Sequence, residues 1–459
     1  MDGWSLSPCP FHLSESSLSQ AESVRQRCRQ RITPAHFMDT NNFLTHTLRD
    51  PRVTRILSAA LDAVEPASIV QAYLKSHPLP GHDRLFLLGI GKAAEPMTRA
   101  ATNSLPKFNR ALIITKHASI KSYGQVMVME AGHPIPDERS LAAGHAALDF
   151  VSGLHENDLL ICLISGGGSA LVTAPHDGIS LEDMQLLTTS LLASGASIDE
   201  INVIRRQFDR VKGGGLAGAT RARIISLILS DVMGNHLEAI ASGPTASNPT
   251  NDKDALAILR KYGTAANSSL YSLLSLQLPS QNLAFDHVTN IILGDNRVAA
   301  QAAKSQAQIE GFHAEIIDED LRGEARLVGT ALAERLKLAS ARNIHPFCLI
   351  AGGETTVTIR GNGKGGRNQE LALATVDALD GAENIMLISL ATDGDDGPTD
   401  AAGAVVTGET RGQAQKLGIV AADYLSRNDA YHFFEPLGDL LKPGYTGTNV
   451  NDLIFLIGL

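Results

Sequence analysis

A chain of 459 residues, 44% hydrophobic and 19% charged, is long enough for two domains with buried cores, and none of its apolar runs reaches membrane-spanning length. Its formal net charge of −10 leaves no electrostatic reason to expect a nucleic-acid or anionic-membrane partner. The four cysteines, Cys9, Cys28, Cys162 and Cys348, show neither disulfide nor metal spacing and fit a reducing compartment, so a cytoplasmic protein, monomer or homodimer, is expected.

Residues 1–37 are rich in Ser, with Arg25, Arg27, Arg29 and Arg31 in alternation. They read as a disordered extension. An organellar transit peptide is the alternative, weakened by Asp2, Glu15 and Glu22. From Phe43 to about His77 apolar residues recur at helical spacing, and Pro66 divides them into two helices. Residues 84–88 read as a buried parallel strand ending in Gly89-Ile90-Gly91-Lys92-Ala93-Ala94, followed by a helix to about Ser104 and a strand at 111–115.

The pattern repeats, each apolar run ending in a polar or glycine signal. Residues 159–164 run into Ser165-Gly166-Gly167-Gly168-Ser169, 224–229 into Ser230-Asp231, and 291–293 into Gly294-Asp295-Asn296. Residues 347–350 lead to Gly352-Gly353-Glu354, then a glycine-dense turn carrying Lys364 and Arg367, then a helix-like stretch over 370–379. Residues 385–390 run into Thr392-Asp393-Gly394-Asp395-Asp396. Strands alternating with helices predict an α/β protein with a doubly wound sheet, and such sheets bind ligands at the carboxyl ends of their strands. Endings spread over the whole chain imply one cleft between two lobes, residues 38–284 and 285–459, divided after a loop at 278–282.

The turn at Gly89 and Gly91 has the spacing of a dinucleotide loop. Lys92 in that turn, and Lys116-His117 after the next strand in place of an acid, suit a phosphate or carboxylate as well as an NAD ribose. Ser165 to Ser169 and Lys212-Gly213-Gly214-Gly215 offer runs of flexible N–H groups for an anion, and no G-x-x-x-x-G-K-[ST] loop occurs. Asp231, Asp295, Glu354, Asp393, Asp395, Asp396 and Asp400 form the acidic set; isolated strand-end Asp residues are usually caps or turn formers. Phosphoryl transfer needs a carboxylate for Mg²⁺, one for the hydroxyl proton, and cations such as Lys92 and Arg367 for the moving charge.

Taken in order, these segments resemble the class II glycerate kinases, the glycerate 2-kinase family with a C-terminal MOFRL domain. The resemblance rests on the turns at Gly89 and Ser165 and on Gly132-His133-Pro134-Ile135-Pro136-Asp137, Val211-Lys212-Gly213-Gly214-Gly215-Leu216, Ser230-Asp231-Val232 and Ser242-Gly243-Pro244-Thr245. It continues through Gly352-Gly353-Glu354, Gly366-Arg367-Asn368-Gln369-Glu370, Thr392 to Asp400 and Gly447-Thr448-Asn449-Val450-Asn451-Asp452, so that it covers residues 45–459. It implies a Rossmann-like N-terminal domain, a mixed-sheet C-terminal domain, and ATP-dependent, Mg²⁺-assisted phosphorylation of D-glycerate to 2-phosphoglycerate. Lys92 and Arg367 are then the essential cations, and Asp231, Glu354, Asp393 and Asn449 line the cleft. Asp231 or Asp393 is the base or the metal ligand. Gly89, Gly91, Ser165, Gly166, Gly167, Gly168, Ser169 and Lys212 are expected at the substrate and nucleotide. Two departures stand out: Met233-Gly234-Asn235 where Pro-Gly-Asp is expected, and Arg206-Gln207 where Lys-His is commoner. An NAD(P)-dependent hydroxypyruvate or tartronate-semialdehyde reductase is the alternative enzyme, and a phosphosugar-binding module the non-catalytic one.

Overall fold

Runs of Val, Ile and Leu bounded by glycine become buried strands when helices cover both faces of a sheet. The computed structural model describes residues 38–262, 285–342 and 344–459. The N-terminal extension and the loop expected at 278–282 lie outside them. The first sheet contains β1 (Leu85–Ile90), β2 (Arg110–Thr115), β3 (Val126–Glu130), β4 (Leu159–Ile164), β5 (Arg223–Leu229) and β6 (Val288–Gly294). Its order is β3-β2-β1-β4-β5-β6, with every neighbouring pair parallel. The chain winds outward from β1 in one direction and from β4 in the other. Their carboxyl ends therefore flank the point where strand order reverses, and a crevice opens there.

Two helices precede β1: α1 (Pro51–Asp62) and α2 (Pro66–Ser76). Each starts with proline at its first position and an acidic cap before it, Asp50 and Glu65, because proline lacks the N–H a helix start leaves unused. α3 (Ala94–Ser104) follows β1 and α4 (Glu138–Ser152) follows β3. Further on, α5 (Leu181–Ala193), α6 (Ile198–Phe208) and α7 (Asp252–Lys261) bury a small cluster of their own around Leu191, Ile201 and Phe208. β6 lies beyond the expected division at 285 and pairs with β5, so sheet membership changes only after Gly294.

The second sheet is mixed. After α8 (Asn296–Ile309) come β7 (His313–Glu324), α9 (Ala325–Arg342), β8 (Phe347–Thr356), α10 (Arg367–Leu373), β9 (Ile385–Ala391), β10 (Gly403–Thr407), β11 (Leu440–Leu441) and β12 (Asp452–Gly458). The order is β11-β10-β9-β12-β8-β7, with β7 parallel to β8 and the other pairs antiparallel. β8 runs past the expected end at 350, so Gly352, Gly353 and Glu354 lie within a strand. Glycine is required there by contact: a Cβ on Gly352 would fall 1.7 Å from the Asn296 amide oxygen, and one on Gly353 would fall 2.1 Å from the Leu321 carbonyl. The helix expected over 370–379 starts earlier and is shorter.

The lobes share a core. Val53, Ile56 and Leu57 of α1 pack in one cluster with Ala299, Ala300 and Ala303 of α8 and with Ile350 and Phe455 of the second sheet. Polar ties cross as well: the Thr448 hydroxyl donates to the Val64 carbonyl at 2.8 Å, and buried Asp439 accepts from the Thr45 and Thr47 hydroxyls. Among the described residues no helix is long and apolar enough to cross a membrane.

Candidate active site

At the crevice the turns after β1 and β4 are bonded together. Lys92 N–H donates to the Gly166 carbonyl at 2.9 Å, and the Ser165 hydroxyl accepts from Ala93 N–H at 3.0 Å. Ser165 thus caps the start of α3. Gly166 and Gly167 lie against functional side chains: a Cβ on Gly166 would sit 1.9 Å from an Asp231 oxygen, and one on Gly167 within 3.2 Å of both His133 and Lys92. The glycines let Asp231, Lys92 and His133 converge on one loop.

Lys92 forms no ion pair among the described residues. Asp231, just past β5, forms none either. Burial pushes its carboxyl up to about 6; Lys92 pulls it back and Glu354 of the second lobe raises it further. The Asn451 amide donates to the Asp231 carbonyl at 2.8 Å, tying the lobes at this point. His133 is driven down to about 4 by burial, then by the charges of Lys92 and Lys116, so it is a neutral imidazole at neutral pH. It belongs to the motif Gly132 to Asp137, but nothing in the spacing marked it as a cleft residue; only the fold sets it beside Lys92.

The second lobe supplies the facing wall. Lys92, Ser165 and Gly166 line a cavity of about 610 Å³ together with Asp393, Tyr445 and Asn449. Burial raises the Asp393 carboxyl above its ordinary range, while a bond from Asp395 N–H and the Lys92 charge hold it partly down. Arg367 opens α10 beside this wall. Its Nε and Nη2 donate to the two oxygens of Asp452 at 2.6 and 3.1 Å, and its Nη1 to Glu354 at 2.9 Å. Burial alone would weaken the guanidinium charge, but Asp452 outweighs it and raises its pKa.

Several expected residues have structural duties instead. Lys212 is buried and does not line the cavity, its ammonium held by Asp209 at 2.5 Å and by the Val172 carbonyl at 3.0 Å. Gly89 packs β1 against α3, where a Cβ would meet the Thr98 hydroxyl at 2.3 Å, and Gly168 packs against Ala241. Ser169 is hydrogen-bonded to Ser242 at 2.7 Å. Asp396 caps α10, accepting from Asn368 and Gln369 N–H at 3.1 and 2.8 Å, and Asp295 caps α8. The departure residue Asn235 bonds to Asp295 at 2.5 Å, while Arg206 bonds to Asn248 and to the Glu238 carbonyl.

No group of three or more His, Cys, Asp or Glu suited to a metal occurs among the described residues. Magnesium bound with a nucleotide needs fewer, since it keeps waters and takes phosphate oxygens beside one or two carboxylates. Asp231 and Asp393, neither in an ion pair among the described residues and both raised by burial, fit that requirement.

Fold and site define a two-lobed α/β protein with one anion-handling cleft at the switch point of a parallel sheet. Residues 52–275 match a family model described as a domain of unknown function, DUF4147, and residues 347–452 match the MOFRL family. The D-glycerate 2-kinase of Thermotoga maritima is 41% identical over 413 residues, covering 88% of this chain and 96% of the relative. The crystal structure of glycerate kinase from Thermotoga maritima matches with a TM-score of 0.83 at 41% identity, over 88% of this chain and 98% of that one. A protein from Agrobacterium vitis, 36% identical over 88% of this chain and 93% of its own, carries a provisional hydroxypyruvate reductase name. The chain belongs to the glycerate kinase family.

Proposed function

We propose that this protein transfers the γ-phosphoryl group of ATP to the 2-hydroxyl of D-glycerate, giving 2-phosphoglycerate and ADP. The observation that carries the reading is a cavity lined both by Lys92, which has no ion pair among the described residues, from the end of the parallel sheet and by Asp393 from the mixed sheet. Asp231, in contact with Gly166 of that cavity, accepts the hydroxyl proton as the glycerate oxygen bonds to phosphorus and the bond to the ADP oxygen breaks. A carboxyl titrating near 6 is ionised at neutral pH yet basic enough for that task. Lys92 and Arg367 neutralise the glycerate carboxylate and the charge on the moving phosphoryl group. Asp393 would hold Mg²⁺, which would supply further neutralisation of phosphate charge. The Ser165–Gly166 turn faces the nucleotide phosphates. A cytoplasmic setting goes with this reading, and Cys162 and Cys348 are buried free thiols.

The reductase alternative gains nothing from the geometry, since β2 is followed by Lys116 and His117 rather than by the acid that holds an NAD ribose. Purified protein incubated with ATP, Mg²⁺ and D-glycerate should release ADP, and phosphorus NMR should show 2-phosphoglycerate. A 3-phosphoglycerate signal would overturn the regiochemistry. NAD(P)H consumption with hydroxypyruvate and no ADP release would overturn the kinase.

A further inference from the structure

Arg367 holds two carboxylates in unlike ways. Asp452 is the first residue of β12, set in register between Gly353 of β8 and Ala391 of β9, and its side chain is only 3% exposed. Its backbone carbonyl is fixed further by the Asn296 amide at 2.9 Å. Both its oxygens face the guanidinium, on Nε and Nη2, a planar fork that sets direction as well as distance. Glu354 meets the remaining nitrogen, Nη1, through one oxygen, and its side chain is 47% exposed. Its charge also reaches Asp231 across the cleft. With both acids bound, the trio carries a net charge of −1, which repels an anion. With Glu354 released, the remaining Arg367–Asp452 pair is neutral and presents an open Nη1 edge.

We propose that Asp452 is a positioning residue that aims Arg367, and that Glu354 is the exchangeable partner whose place at Nη1 is taken by an oxyanion of the substrate or nucleotide. The inference rests on the anion-handling role of Arg367 in the reading above and deepens it. Bonds on a buried strand end keep the fork in place, while an exposed single-oxygen pair is weak enough to be replaced by a phosphate oxygen.

The test uses the full chain and two readouts, kcat for glycerate-dependent ADP release and calorimetric affinity for inorganic phosphate. Asp452→Asn should lower kcat by about 10- to 100-fold with a smaller change in KM, yet by less than about 2-fold when added to Arg367→Ala, because it acts through that residue. Glu354→Gln should tighten phosphate binding by about 3- to 10-fold, and the gain should vanish in Arg367→Ala and in Asp452→Asn. An Asp452→Asn loss that is as large in Arg367→Ala as in the native protein overturns the positioning role. A Glu354→Gln gain that persists without Arg367, or phosphate binding by neither native protein nor Glu354→Gln, overturns the exchange. If Asp452→Asn fails to fold, Asp452→Glu, which keeps the charge and shifts the fork by one methylene, should give the same pattern. Absence of ADP release from the native protein would overturn the kinase reading alone, because the phosphate series still decides this proposal.

Discussion

The two halves of the cleft deliver their cations by opposite means. Lys92 leaves a glycine turn at the end of a parallel strand and meets no carboxylate at ion-pair distance among the described residues. Arg367 opens a short helix against an antiparallel sheet, where neighbouring strands carry Glu354 and Asp452 to its two edges. An unpaired ammonium in a cleft contributes little to stability and is ready for an anion. A guanidinium forked onto a buried carboxylate is preorganised, and its loss strands a charge. Sheet topology accounts for the difference: parallel strands end together at a crevice open to ligand, whereas antiparallel pairing puts side chains of adjacent strands side by side.

The largest effect expected from breaking either half is at Asp231. Replacing it with Asn should lower kcat by about 10²- to 10⁴-fold, the usual contribution of a positioned base. In the native protein kcat/KM should fall as pH drops through about 6, because the carboxyl must be ionised to take the hydroxyl proton. A pH–rate profile that stays flat between pH 5 and 7 removes Asp231 from that role.

The comparison itself is tested by Lys92→Ala and Arg367→Ala. Both should lower kcat by at least about 10²-fold. Only Arg367→Ala should also reduce stability, by about 1–3 kcal/mol, because it leaves Asp452 buried without its cation. Equal losses in urea unfolding would show that the two halves are built alike.

A smaller effect separates the cap from the site. Burial and the charge of Asp452 drive Asp396 up to about 7, against bonds from Gln369 and Asn368 that lower it. Since this folded pKa lies above the ordinary carboxyl value, the stabilising contribution is complete below that ordinary value and is lost as pH rises through about 7. Asp396→Asn should flatten the fall in urea midpoint between pH 5 and 8; an unchanged slope would assign the pH dependence to other groups. The smallest effect belongs to Glu354→Gln, whose half-exposed pair should change stability by less than about 1 kcal/mol.

Much of the first lobe was legible because a strand covered on both faces has to be apolar throughout. β1, β2, β4, β5, β8 and β9 each announce themselves as such runs. β3 and β7, at the sheet edges, are mostly exposed or half-buried and present no continuous apolar run. β12 is apolar, yet it enters the sheet antiparallel and without a preceding helix, so the strand–helix alternation passed over it. Asp452 opens that strand, and its motif, Gly447 to Asp452, carries the family resemblance without indicating that it meets Arg367. β6, which begins just after the expected division at 285, joins the first sheet by pairing with β5, a partnership that local periodicity does not show.

Lys92 and Lys212 mark where sequence stops and tertiary structure takes over. Both lysines adjoin glycines, and both resembled anion ligands. The sequence by itself determined the family, the doubly wound sheet, and the strand-end positions of Lys92, Asp231 and Asp393, because these follow from local periodicity and from motifs in register. Only the fold decided that Lys212 is turned inward onto Asp209, that Asp396 is a helix cap, and that Asp452 holds Arg367. Those outcomes depend on what the folded chain sets opposite each side chain, three residues away for Asp209 and 85 for Asp452, and a charge becomes a ligand or a strut according to whether a carboxylate is already there.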